Sequence, residues 1–396
     1  MIANNCAIHD NCGLIRYYKF RGGKTIMKKT RLIDSTLREG EQAPGVLFTN
    51  AIRRNIIALL GSVGVDEIEL GIASPASTHL LELAADARKI VGSRCRLGLW
   101  CRCRNEDILF AARCQPNVLS LSIPASDLHI QKRLGKNRDW VKRKLAGSIH
   151  QALRVNIPVV SVGFEDASRA DPGFLRTLVQ LARDSGAARV RLADTVGICS
   201  PSDMGKLVRF IRQEKGIEIG VHCHNDFGMA TANSIAALES GADWLDATVL
   251  GLGERTGNCR LEEVVGFLSL NKSCDRYHPE RLAKLCHFVA KAARTEIAGN
   301  HPIVGKNIFT CETGLHQHGL AVHPETYEPY SPHLVGMERT LRFGCKSGRR
   351  ALHLQLQKEG VLLTDPQLQT LTTIVRHGNK SLNPEEFLHM ATGLFF

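Results

Sequence analysis

Eight short runs of branched and apolar residues recur along the chain at roughly 30-residue intervals, and stretches of helical periodicity separate them. The runs are Arg31–Ser35, Val65–Leu70, Arg96–Cys101, Val118–Ile123, Val159–Phe164, Val190–Ala193, Glu218–His224 and Trp244–Val249. Between them lie helix-like segments such as Ala51–Val63, Arg138–Arg154, Gly173–Asp184, Ser202–Gln213 and Thr231–Ser240. Gly64, Gly186, Gly216 and Gly241 follow these segments closely, where a helix end favours a residue free to adopt positive φ. Strand and helix in strict alternation predict βαβ units and a parallel sheet. Eight such units over roughly 250 residues match a closed (β/α)8 TIM barrel, an α/β fold. An open doubly wound sheet is the alternative, but no strand here runs into a G-x-G-x-x-G turn.

The rhythm stops near residue 275. A helix-like stretch, Pro279–Glu296, leads into Asn300–Pro332, which is rich in His, Pro and Gly, and a shorter helical tail follows. The expected organisation is therefore a catalytic barrel over 28–275. Residues 276–396 then form a linker and a small, mainly helical C-terminal region that acts as lid or dimerisation element. The barrel pattern begins at Met27-Lys28-Lys29-Thr30, so 1–27 reads as a disordered leader and Met27 as a candidate second start.

Composition changes this picture little. With 43% hydrophobic and 23% charged residues the chain is an ordinary globular one. The formal charge of +12 invites a nucleic-acid or membrane reading. No basic run with interleaved aromatics supports it, and a solvated basic surface that also favours anionic substrates suffices. Thirteen cysteines follow no C-x-x-C framework; Cys101 and Cys103 flank only Arg102. Reduced, buried thiols are expected. No apolar stretch nears the ~20 residues a membrane span requires, so the expectation is a cytoplasmic protein.

Active sites of such barrels lie at the C-terminal ends of the strands. The first run ends in Asp34-Ser-Thr-Leu-Arg38-Glu39-Gly-Glu-Gln42, and the seventh in His222-Cys-His224-Asn-Asp226. Residues two apart on a strand share a face, so His222 and His224 present two imidazoles together. With a carboxylate from Glu39 or Asp34 they make a donor set suited to a divalent metal such as Mg, Mn or Zn.

Those two segments, with Gly251-Leu-Gly-Glu-Arg-Thr-Gly-Asn258, resemble in order the three motifs of the DRE-TIM metallolyases. That superfamily holds isopropylmalate, homocitrate and citramalate synthases and hydroxymethylglutaryl-CoA lyase. The similarity spans roughly 28–340. Around Trp100-Cys-Arg102 and Glu165-Asp-Ala-Ser-Arg169 it looks closest to the homocitrate synthases of nitrogen-fixing bacteria, which supply the nitrogenase cofactor, and the short tail agrees with that branch. The resemblance implies Glu39, His222 and His224 as metal ligands, with Asn258 close by. It implies Arg38 beside the substrate carbonyl, Gln42 and Glu69 lining the site, and Thr195 against the 2-oxo acid. Glu165 and His316, from Thr313-Gly-Leu-His316, would handle the acetyl proton. The implied reaction joins acetyl-CoA to 2-oxoglutarate and hydrolyses the thioester. The methyl of acetyl-CoA is a weak acid, so it needs a base, and the developing alkoxide needs fixed positive charge.

Two departures stand out. Fungal-type homocitrate synthases carry a histidine where Trp100 falls and an arginine where Ser161 falls, so Arg102 or Arg169 is expected to meet the distal carboxylate instead. Where relatives read close to G-K-H-S-G-R, this chain has Gly344-Cys-Lys-Ser-Gly-Arg349. Family members are commonly dimers whose C-terminal region reaches the partner's barrel, so a homodimer is expected. The rivals are another 2-oxo acid (isopropylmalate or citramalate synthesis), a hydroxymethylglutaryl-CoA-type lyase, and a non-catalytic basic scaffold.

Overall fold

The computed structural model of the protein describes residues 30–396; the proposed leader and Met27 lie outside the described residues. Eight parallel strands close in sequence order into a barrel: β1 Arg31–Asp34, β2 Glu67–Ile72, β3 Arg96–Arg102, β4 Val118–Pro124, β5 Val159–Glu165, β6 Arg189–Asp194, β7 Glu218–Cys223 and β8 Trp244–Ala247. Ile33 of β1 stands opposite both Glu67 of β2 and Asp246 of β8, which closes the ring. A helix follows each strand: α1 Asn50–Val63, α2 His79–Val91, α3 Asn105–Arg113, α4 Arg138–Arg154, α5 Pro172–Asp184, α6 Pro201–Ile211, α7 Ala230–Glu239 and α8 Leu261–Gly266.

Local chemistry sets the helix ends. Thr49, Asn137, Asp171 and Ser200 each cap a helix by accepting a backbone N–H, and α5 and α6 open with proline just inside the cap. α5 and α6 start one residue before their predicted positions, because prolines 172 and 201 serve as first helical residues, and α4 starts at Arg138 as predicted. Gly64 ends α1 at φ 91°, in the left-handed region. Outward-facing strand residues and inward-facing helix residues (Leu32, Ile57, Leu60, Ile68, Leu83, Ile149, Leu178) build one continuous apolar shell between sheet and helices.

Inside the barrel the filling is charged. Alternation turns Glu67 and Glu69 of β2, and Arg189 and Arg191 of β6, into the lumen. Arg189 grips Glu67 through two hydrogen bonds of 3.1 and 2.8 Å, donates to Ser161 Oγ at 3.1 Å, and lies 4.4 Å over the Trp244 ring. This plug seals the floor of the barrel and leaves the upper lumen for chemistry.

Three predicted strands end early, β1 among them at Asp34 in place of Ser35. β7 stops at Cys223, and His224 forms an isolated bridge with Asn258. β8 stops at Ala247, and Val249–Gly251 is a tight turn with Leu250 at φ 59°. After α8 comes α9, Leu282–Ala293, shorter than the predicted Pro279–Glu296 because Pro279–Arg281 forms its own 3-10 turn. Ile303, Val304, Phe309 and Val335 pack into the barrel's own apolar cluster, and Gly336 abuts the backbone of Glu280. The arm thus packs against its own barrel, and His301 meets Glu262 in the first turn of α8 at 2.7 Å, beside the turn that follows β8. Beyond it α10, Gly314–Val322, and three helices, α11 Arg349–Lys358, α12 Asp365–His377 and α13 Pro384–Phe395, complete the chain; the last three share a separate small core around Phe343, Leu352, Leu371 and Phe387. Among the described residues no helix is long and apolar enough to cross a membrane, and the eleven cysteines there are all free thiols.

The floor plug makes a direct prediction. Arg189→Met leaves Glu67 charged, buried and unpaired, and should cost about 3–5 kcal/mol in urea unfolding, whereas adding Glu67→Met should restore most of that loss. A double variant as unstable as the single one would show that the ion pair is not what the site needs.

Candidate active site

The three motifs converge at the C-terminal end of the barrel, each held by a specific local device. Behind β1, buried Asp34 accepts the Thr36 N–H at 3.0 Å and the Thr36 hydroxyl at 2.9 Å, and Thr36 Oγ1 accepts the Val249 N–H at 2.9 Å. This ties the first motif to the end of β8 and aims Arg38 and Glu39 inward. Burial pushes the Asp34 carboxyl up to about 7, against the Thr36 hydrogen bonds that favour its charged form. The third motif folds back on itself: Asn258 N–H donates to Gly251 O at 2.9 Å and its side-chain amide to Leu252 O at 2.9 Å. Gly257 has φ 83°, and a methyl there would fall 1.9 Å from Gly251 O, so only glycine permits this closure.

Glu39, His222 and His224, all buried, bring one ligand atom each within 4.8 Å of one another. The two imidazole Nε2 atoms face each other at 3.3 Å, and His224 Nε2 lies 3.7 Å from Glu39 Oε1. Asp246 Oδ2 sits 3.1 Å from His222 Nδ1 and so fixes that ring with Nε2 toward the common centre, the carboxylate–histidine arrangement typical of metal sites. Asn258 stands directly opposite His224 in the bridge, and its buried Oδ1 has no protein partner.

Charge gives the same answer as geometry. Arg38 donates to Glu69 Oε2 at 2.9 Å and bonds Glu39; Arg191 Nη1 donates to Glu69 Oε1 at 2.9 Å and to Asp246 Oδ2 at 2.6 Å. Two guanidiniums therefore face three carboxylates in a buried space, a net charge of −1 that a divalent cation turns into +1. Although burial pushes it up, Arg191 and Arg38 hold Glu69 well below the usual carboxylate range. Burial lowers both histidines, and burial together with neighbouring His222 takes His224 to about 3. Both imidazoles are thus neutral, the state a metal binds. Two neutral nitrogen donors, a carboxylate and an unpartnered amide oxygen fit a divalent ion.

The other expected residues divide. Glu69 joins the buried network. Glu165, at the end of β5, accepts from Ser122 Oγ at 2.7 Å and pairs with Arg133. Thr195 Oγ1 accepts the Asp166 N–H at 2.8 Å, which leaves its own hydroxyl proton free to donate. Gln42 ends the short turn Gly40–Gln42 above β1. Arg102 and Arg169 pair elsewhere: Arg102 forks onto Asp107 at 2.8 and 3.1 Å, and Arg169 shares its single Nε–H between the two Asp166 oxygens at 2.8 and 3.1 Å. Each already serves the carboxylate that its own loop supplies. His316 lies exposed on α10, its ring 4.1 Å from that of Tyr327, outside the Glu39, His222 and His224 group. Arg191 and Asp246 were not singled out from the sequence, although Arg189-Val-Arg191 and Glu67-Ile-Glu69 carry a signal: charge at alternate positions of buried strands.

Fold and site together define a (β/α)8 barrel with a candidate divalent-cation site at its mouth. The family model HMGL-like matches residues 29–289, and a second, Homocitrate synthase post-HMGL domain-like, matches 303–381. The chain belongs to the HMGL-like family, within the DRE-TIM superfamily. It is 42% identical over 340 residues to a homocitrate synthase of Frankia alni, covering 83% of this chain and 93% of that protein. It is 36% identical over 356 residues to 2-isopropylmalate synthase 2 of Caldanaerobacter subterraneus subsp. tengcongensis, covering 88% and 90%. The barrel also superposes on an HMG-CoA lyase of Bacillus subtilis with a TM-score of 0.61, at 18% identity, over 68% of this chain and 95% of that one.

The depressed histidines set the sign of a pH effect. Folded His224 refuses a proton that the unfolded chain accepts near pH 6.5, so the neutral residue's contribution is intact above that pH and is lost as pH falls toward 3. With chelator present, wild type should lose up to about 1.4 kcal/mol per pH unit more than His224→Gln over this window. Urea midpoints at pH 7.5 and 5.5 measure it, and parallel losses in the two proteins would contradict the shift.

Proposed function

We propose that the protein is a homocitrate synthase: a divalent-metal-dependent enzyme that condenses acetyl-CoA with 2-oxoglutarate and hydrolyses the thioester to homocitrate and CoA. The observation that carries this reading is the convergence of Glu39, His222 and His224 with the buried guanidiniums of Arg38 and Arg191 at one barrel end. The match of 303–381 and the Frankia relative support the choice of 2-oxo acid. Homocitrate made here would serve nitrogenase cofactor assembly, as the resemblance to the nitrogen-fixation branch implies.

A bound Mg, Mn or Zn ion would be held by Glu39, His222, His224 and Asn258, and would supply Lewis-acid polarisation of the keto group. Arg38 is fixed from two sides by Glu39 and Glu69, so its charge needs no reorganisation as negative charge grows on the carbonyl oxygen. Thr195 offers its free hydroxyl proton to the 2-oxo acid. Gln42 and Glu69 line the site. Glu165 works with His316 on the acetyl proton: its carboxylate is held by Ser122 and Arg133 at the rim, within reach of a thioester entering from the mouth.

His316 reaches such a site from a second copy of the chain. Leu47, Leu128, Ile198 and Phe227 leave an apolar rim on the loops around the mouth, and Leu315 and Val322 flank His316 on an exposed helix. Both surfaces gain from pairing in a homodimer.

Purified protein with metal, acetyl-CoA and a panel of 2-oxo acids should release CoA fastest with 2-oxoglutarate. Fastest release with 2-oxoisovalerate or pyruvate reassigns the enzyme to isopropylmalate or citramalate synthesis, and cleavage of hydroxymethylglutaryl-CoA in its place makes it a lyase. Glu39→Ala or His222→Ala should abolish metal-dependent turnover and leave the circular-dichroism spectrum unchanged; wild-type rates in either would remove the metal assignment.

A further inference from the structure

A substrate with two carboxylates needs a second cation beyond the one beside its carbonyl. The lumen offers few that are not already spent. Arg102 is forked onto Asp107, Arg133 is paired with Glu165, Arg189 is committed to Glu67 and Ser161, and Arg169, one-third exposed, turns its Nε onto Asp166. Arg38 holds Glu69 and Glu39. Arg191 differs. It is 3% exposed, and both of its hydrogen bonds leave from Nη1. Its Nε and Nη2, the two-pronged edge that matches a carboxylate, make no hydrogen bond among the described residues and are not sealed from the lumen.

What keeps that edge open is a glycine. Gly163 of β5 is the register neighbour of Arg191 in β6. A methyl built at Gly163 would lie 3.8 Å from Arg191 Nε and 3.9 Å from Nη2, in the volume a bound carboxylate would occupy. Its remaining near contact, Leu121 O at 3.7 Å, is ordinary van der Waals distance, and Gly163 does not have positive φ. Neither crowding nor backbone strain therefore demands glycine here, and glycine in a strand interior weakens the strand. Close approach of a ligand accounts for it. Asp246 binds Arg191 at 2.6 Å and orients His222, so one carboxylate fixes this cation and the metal ligand in a constant relation.

We infer that the Nε–Nη2 edge of Arg191, uncovered by the absent side chain of Gly163, receives the distal carboxylate of the 2-oxo diacid. This rests on the proposed function and replaces Arg102 and Arg169 as the recognising cations. It also explains how the chain manages with Trp100 and Ser161: Trp100 lies 5.7 Å from the Arg38 guanidinium, and Ser161 is occupied by Arg189 in the floor plug.

The test is Gly163→Ala, whose methyl the surroundings accommodate, compared with wild type by calorimetric binding of 2-oxoglutarate to the metal-loaded protein and by KM for 2-oxoglutarate and for 2-oxobutyrate, which lacks the second carboxylate. Losing a charge-assisted pair should weaken 2-oxoglutarate by about tenfold or more and change 2-oxobutyrate less than about twofold. If wild type favours 2-oxoglutarate and the variant keeps that preference, or weakens both acids alike, Arg191 is not the recognising cation and the proposed function stands. If wild type itself shows no preference for the diacid, the proposed function fails and takes this inference with it.

Discussion

The constraint that organises this molecule is the burial of charge inside a closed ring of strands. A barrel lumen must be filled, and here β2 and β6 fill it with two glutamates and two arginines rather than apolar side chains. Each charge taken out of water demands a partner close by. In the lower layer the demand is met completely, by Arg189 and Glu67. In the upper layer it is left one positive charge short, because Glu39, Glu69 and Asp246 outnumber Arg38 and Arg191. The difference between a plug and a reaction site is therefore a matter of charge count between two adjacent layers of the same barrel.

That shortfall has to be kept from collapsing, and the loops around it do so. Thr36 clips the first motif to β8, Asp246 fixes His222 from behind, and the Gly251–Asn258 loop closes through a glycine that tolerates contact no other residue could. Asn258 spends its amide N–H on the loop and keeps its oxygen free. Rigid support of this kind lets the imidazoles approach each other neutral, since a site that relaxed would fill itself with its own hydrogen bonds.

Much of this was legible in the chain. The alternation of runs and helical stretches carried the barrel, because each run is buried on its outer side and each helix shows one apolar face. Asp34–Gln42, His222–Asp226 and Gly251–Asn258 carried the candidate metal group because strand ends of a barrel converge. The partner of a charged lumen residue was harder to read: Glu67 and Arg189 are far apart in sequence, and only closure of the ring sets β6 across from β2. For the same reason Arg102 and Arg169 looked available as cations. Asp107 and Asp166 sit within five residues of them, and the local turns that join each pair are invisible to a strand-level reading. The C-terminal arm escaped it too, since nothing in its His, Pro and Gly content says which face of the barrel it follows.

The path of that arm has a consequence for how catalysis is completed. It is anchored through Ile303, Val304 and Val335 to its own barrel, and the last three helices close a core of their own. His316 is thus displayed outward on a short helix between two well-packed bodies. In the proposed reaction His316 is the base that meets the acetyl proton, and its exposed position leaves it open to a partner. It gains a great deal if a symmetric pairing sets it over a neighbour's mouth, because one interface then completes two sites and each subunit's apolar rim is covered by the helix of the other. In such an assembly the chemistry depends on the barrel for charge and on the partner for proton transfer, so dilution to monomers would cost turnover while metal binding at Glu39, His222 and His224 stayed intact.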